Sequence, residues 1–164
     1  MIIYIGINHY LCIVIIKQSN MKKIELRTPF GVWEIAEVTE WVLKFTHLKS
    51  GDSFTLESNP SFPACSASSL TAFAKVHNHK FPSITQLEIL HYLFYHGLYE
   101  WVTKERISFN LRSTTYITDE VLETTLYNPY GDDFIIKKFV CYNIEDDVIK
   151  AIDGEQKLRY MIVK

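Results

Sequence analysis

Ser83 to Val102 repeats its apolar residues at helical spacing, and that periodicity constrains the fold of this chain more than any other feature. At about 100° per residue, Leu87, Leu90, Leu93, Phe94, Gly97, Leu98 and Trp101 fill one broad half of a helix. Ser83 and Gln86 form a capping box at its start, Ser accepting from the third amide while Gln reaches back. The opposite side is unusual. Glu88, Tyr92, Tyr95 and Tyr99 gather within about 60° of arc, flanked by His91 and His96. A solvated helix face carries Lys, Glu and Gln; tyrosines offer flat rings with polar tips, suited to being covered by sheet, partner or ligand. Glu88, His91, Tyr92, Tyr95, His96 and Tyr99 are therefore the candidate binding residues.

With 164 residues the chain has the length of one domain, so residues 1–164 are taken together. Hydrophobic residues at 48% against 22% charged place it with globular and not disordered chains. A net charge of −2 argues against a general polyanion binder, which would carry a basic excess. Cys12, Cys65 and Cys141 are odd in number and scattered, the pattern of reduced thiols in a cytoplasmic protein. Residues 2–16 are strongly apolar, but Asn8 and His9 interrupt them and Lys17 follows them, so they read as a buried strand or two and not as a signal or membrane span. Met21 is an alternative start, which would make residues 1–20 a loosely packed extension.

Elsewhere the pattern is strand-like with two ambiguities. Lys22–Thr28 alternates Ile24 and Leu26 with charged residues. Val32, Ile35, Val38, Val42 and Phe45 recur at helical spacing, while Thr39, Trp41, Leu43 and Phe45 alternate as in a strand. Lys49-Ser50-Gly51-Asp52 closes a helix or joins a hairpin to Ser53–Glu57. Ser58–Ser69 is a draped loop, followed by a short helix over Ser69–Val76. Ile107, Phe109 and Leu111 alternate as a strand. Thr118-Asp119-Glu120 caps a further helix through Leu126, stopped by Asn128-Pro129-Tyr130-Gly131. Phe134–Asn143, Val148–Ile152 and Lys157–Val163 read as strands, the last two joined by a hairpin at Asp153-Gly154, the alternative being one helical turn over Asp147–Ile152 with Gly154 as its stop. The expected class is α+β: one domain, a largely antiparallel sheet packed against one long helix (about 83–102) and one or two shorter helices.

No passage names a reaction. His77, His79, His91 and His96 are the metal-ligand candidates, but His91 and His96 point about 140° apart on a helix, so they cannot share an ion. Cys65 before a short helix is the candidate thiol nucleophile, with His77 or His79 as its base. The acidic groups at Asp132-Asp133, Glu145-Asp146-Asp147, Asp153 and Glu155 fall at turns, with Lys137, Lys138, Lys150, Lys157 and Arg159 among them, which favours cross-strand ion pairs over a catalytic pair. Lys104, Arg106 and Arg112 around Phe109, and Lys22, Lys23 and Arg27, are too sparse to neutralise many phosphates. Phosphate-cradling, dinucleotide, nucleophile-elbow and zincin motifs are missing. No catalytic residue, metal or cofactor is assigned, and no membrane role. The expectation is a non-enzymatic intracellular protein that binds another protein, or itself, through the tyrosine face, a neutralising partner of the immunity or antitoxin kind. The alternatives are a small thiol- or metal-dependent enzyme using Cys65, His77 and His79, and a nucleic-acid-binding domain.

Overall fold

The computed structural model describes residues 2–6, 12–16, 23–95, 109 and 111–164. Its largest layer grows from plain alternation. Strands β1 (Ile2–Gly6), β2 (Cys12–Ile16), β3 (Lys23–Thr28), β4 (Gly31–Thr39), β5 (Val42–His47) and β6 (Ser53–Glu57) pair antiparallel in chain order, and β12 (Ile162–Val163) closes the row beside β6. The register sets Ile24 opposite Ile35, Ile35 opposite Phe45, and Leu43 opposite Leu56, so one face is apolar. Lys23, Glu25, Glu34, Lys44 and Thr55 take the other face, where Lys23 bridges Glu34 at 3.0 Å. The ambiguity at 32–48 resolves as two strands. Helical spacing would bury Val38 with Ile35, yet Val38 is 49% exposed while Ile35, Leu43 and Phe45 are sealed.

Tight turns hold this meander together. Thr28 Oγ1 accepts from the Phe30 amide at 3.1 Å and Gly31 follows at φ +113°, a conformation L side chains rarely adopt. Residues 49–52 make a hairpin and not a helix end: the His47 amide donates to the Asp52 carbonyl at 2.8 Å.

Helix α1 (Ala67–Val76) starts two residues earlier than expected because β7 (Cys65–Ser66), which pairs with β11 (Lys157–Leu158), ends in the Ser66 cap. Gly154 does not turn a hairpin there. Its carbonyl accepts from the Ser68 amide at 3.0 Å and the Gln156 carbonyl accepts from that of Ala67 at 3.0 Å, so residues 154–156 cap α1. A side chain at 154 would strike Ser68 Oγ at 2.0 Å, which is why glycine stands at this approach. The continuation from 157 to 163 consequently splits between β11 and β12, in two different sheets.

The expected long helix is corrected. Helix α2 runs Ile84–Tyr95, and residues 96–102 lie outside the described residues. Among the described residues the fold is mostly antiparallel sheet with two short helices, and not a sheet laid against one long helix. The capping box forms as expected: the Ser83 amide donates to Gln86 Oε1 at 2.9 Å and the Gln86 amide to Ser83 Oγ at 3.2 Å. Leu87, Leu90 and Leu93 are sealed, and Ile89 joins them, so burial wraps further around the helix than the apolar half predicts.

The second correction concerns residues 118–126, which are strand and not helix. Strand β8 (Thr115–Leu126) pairs antiparallel with β9 (Phe134–Asn143), and β9 pairs with β10 (Val148–Ile152) on its other side. Thr118 explains the misreading. Its hydroxyl accepts from the Glu120 amide at 3.2 Å, as a helix cap would, but also donates to the Val140 carbonyl at 2.9 Å across the sheet. The local hydrogen bond is real; it marks the register shift between Ile117 and Val121, not a helix start.

Neighbouring residues at the root of this sheet serve two cores. Tyr116 and Tyr142 join Ile24, Leu26, Phe45, Leu87 and Leu90 in the first, together with Phe109, from the expected strand at 107–111 whose other residues are mostly undescribed. Ile117, Phe139, Cys141 and Ile152 face the second, with Leu70 of α1 and Leu158, Tyr160 and Ile162. Both faces of the root are therefore covered.

Candidate functional site

Two places carry unusual chemistry: the polar side of α2, and the outer half of the β8–β9 hairpin.

The polar side of α2 meets the β9–β10 turn, residues 144–147, which enters β10 through Asp147 at φ +55°. The His91 ring donates from Nδ1 to the Ile144 carbonyl, and the ring of Tyr95 stacks near it at 6.2 Å. Tyr142 donates its hydroxyl to Asp147. Burial, then this bond, then the nearby carboxylates push the Tyr142 phenol up. Burial also raises Glu88, the charge of Asp147 raises it further, and His91 opposes both. Glu88, His91, Asp147 and Tyr142 thus form one electrostatically linked cluster. Tyr142 and Asp147 are the members that the pattern of the helix could not reveal, Asp147 being 59 positions along the chain from Glu88.

The expected binding residues fall as follows. Glu88, His91, Tyr92 and Tyr95 come together here, each half-buried, with Tyr92 and Tyr95 packed against the first core. His96 and Tyr99 lie outside the described residues. Much of the tyrosine side is thus engaged by the chain's own turn.

The enzyme candidates do not converge. Cys65 is half-buried next to Tyr160, whose phenol is raised by burial and then by Cys65 and Glu57. His77 and His79 lie 5.6 Å apart around Phe73, and no hydrogen bond joins either ring to Cys65. A cleft of about 440 Å³ takes in His79, Lys75, Lys80 and Asp119 but neither Cys65 nor His77. Among the described residues no group of three or more His, Cys, Asp and Glu could hold a metal ion. Of the basic residues, Arg112 lies 4.9 Å over the Trp41 ring and Lys23 is paired with Glu34, while Lys22, Lys104 and Arg106 are outside the described residues.

The outer hairpin is the larger surface. Beyond the root, residues 119–126 and 134–137 are all exposed, on both faces of a two-stranded ribbon. From the register, one face bears Leu122, Thr124 and Leu126 with Lys138, Ile136 and Phe134; the other bears Val121, Glu123 and Thr125 with Lys137 and Ile135. Leu122 is 51% exposed, Phe134 61% and Ile135 63%. The tip is ordered by its own bonds: the Tyr130 amide donates to Asn128 Oδ1 at 3.1 Å, and that of Asn128 to Asp133 Oδ1 at 3.1 Å. Isolated two-stranded ribbons are marginal in water, so this one depends on its root. Its signal in the sequence lies in the β-branched Val121, Thr124 and Thr125, masked by the cap-like Thr118-Asp119-Glu120.

These features define the chain as an antiparallel β protein with two packed cores and a rooted, apolar ribbon. Compared with known proteins, it matches no family, no curated protein and no solved structure. Among the described residues no helix is long and apolar enough to cross a membrane.

Proposed function

We propose that this chain works by binding another protein without chemistry of its own, and that the β8–β9 ribbon makes the contact. The observation that carries this reading is the row of Leu122, Leu126, Phe134 and Ile136 on one exposed ribbon face. Contiguous apolar surface of this kind marks interaction sites, and aromatic and aliphatic side chains on a rigid scaffold supply most of the energy of an interface. The tyrosine side of α2 contributes less, because His91 is bonded to Ile144 and the rings of Tyr92 and Tyr95 pack inward. A neutralising partner of the immunity or antitoxin kind is the narrower form of this reading. A rooted ribbon suits it, since it can be laid into a groove of a target without rearranging the cores.

The test is capture from lysate of the source cells with the full chain and with a variant carrying Leu122→Asn, Leu126→Asn and Phe134→Asn. One stoichiometric partner is expected with the first and none with the second, at equal thermal stability. Retention of the partner by the folded variant overturns the reading.

A further inference from the structure

We infer that the ribbon receives its partner along the outer edge of β8, as an added strand whose side chains alternate apolar with basic. This rests on the protein-binding reading above and names the partner's chemistry.

The two ribbon strands are unlike in charge. Strand β8 carries Asp119, Glu120 and Glu123 and no cation, whereas β9 carries Lys137 and Lys138 and no carboxylate. They also differ in what their outer edges meet. Strand β9 is covered by β10 from Phe139 onward, and its open stretch ahead of that holds both lysines. Lysine on an edge strand is a common guard against unwanted pairing. Strand β8 is terminal in its sheet. Among the described residues its root alone is engaged, through a bridge between Tyr116 and Arg159 and a 3.1 Å bond from the Asp119 amide to the Pro82 carbonyl. From residue 120 to 126 nothing in the described chain pairs with the side turned away from β9. There every second residue turns its N–H and C=O outward, with neither lysine nor proline to discourage a visitor.

The side chains say what visitor fits. Glu123 is bonded to Lys137 at 2.9 Å yet its side chain stays 55% exposed, so a second cation can approach from the open side. Glu120 has no ion-pair partner among the described residues. A strand laid along β8 would place a Lys or Arg across from Glu123, and apolar residues across from Leu122 and Leu126 on the other face. A second copy docking β8 to β8 would set the acidic run of one chain alongside that of the other, which like-charge repulsion opposes. Docking β8 on the basic edge of β9 in another copy is complementary but heterologous, and would build rings or filaments of copies.

The experiment uses the full chain and two short synthetic peptides, one alternating valine with lysine, the other valine with glutamate. Hydrogen exchange should slow over residues 120–126 with the lysine peptide alone, and binding should weaken as salt is raised. The double variant Glu123→Lys, Lys137→Glu keeps the internal pair while reversing the edge. It should lose about tenfold for the lysine peptide and gain for the glutamate peptide. Equal binding of both peptides, binding of neither, protection centred on residues 134–138, or self-association of the chain in place of peptide binding would each overturn the inference. The reading beneath it fails separately: if the Leu122, Leu126, Phe134 variant still captures the natural partner, the ribbon is not the contact at all. If that variant loses the partner while the charge-reversed one keeps it, only the edge assignment falls.

Discussion

A pair of truncations within one strand tests the architecture on which the ribbon depends. Ile117 and Leu122 lie five positions apart on β8, and the structure gives them opposite surroundings. Ile117 is 1% exposed, against Phe139 and Leu70 in the second core. Ile117→Ala should cost about 2–5 kcal/mol, the transfer term plus the cavity that a sealed site cannot close. Against a total stability of roughly 5–15 kcal/mol this is a large fraction, and at this chain length it lowers Tm by about 5–15 °C. Leu122 is 51% exposed. Burying a whole leucine is worth about 1.5–3 kcal/mol, so half of that area sets a ceiling of about 1.5 kcal/mol, with no walled cavity to add to it. Leu122→Ala should therefore move Tm by no more than about 3–6 °C. Urea denaturation followed by circular dichroism, with thermal melts alongside, measures both. A loss at Leu122 equal to that at Ile117 would mean that residues 118–126 pack inside the protein, as a helix there would, and both the ribbon and the function argued from it would fall.

Three further outcomes follow from local features. Ser83→Ala should cost about 1 kcal/mol by removing the side-chain acceptor of the Gln86 amide, read from the same denaturation curves; no loss would mean that the cap is idle. Glu88 has its folded pKa raised above the ordinary 4.5, so the native state holds more protons than the unfolded one in the window above 4.5, and stability falls as pH rises through it. Glu88→Gln should accordingly stabilise the protein at neutral pH and lose that advantage below 4.5, and a gain confined to acid would contradict the assignment. Burial pushes the Cys141 thiol up to about 11, which leaves about a thousandth of it ionised at pH 8. Mass spectrometry after brief alkylation should find Cys65 labelled and Cys141 intact, whereas modification of Cys141 at the same rate would show its site to be open.

The parts legible beforehand share a physical character. The start of α2 is readable because both halves of its capping box sit three residues apart, and the β3 strand because Ile24 and Leu26 alternate with charges. The missed parts have partners far along the chain. Val32–Phe45 satisfies helical and strand periods at once, and only opposition to β3 and β6 selects the strand. The cap-like bond of Thr118 is the same in a helix and at a register shift; pairing with β9 selects between them. The candidate site divides in the same way, since Glu88, His91, Tyr92 and Tyr95 fall together by helical geometry, but nothing on the helix announces Asp147 or the Ile144 carbonyl.

Taken by itself, the amino-acid order determined which short stretches bend, cap and alternate, because those choices rest on hydrogen bonds and side-chain spacings that close within a turn or two. Tertiary structure alone decided that residues 118–126 extend, that Gly154 caps α1 where a hairpin was expected, and that apolar side chains at 122, 126 and 134 are left in solvent. Each of those outcomes depends on which distant strand or helix supplies the matching backbone groups and the covering surface, and that is a property of the assembled cores.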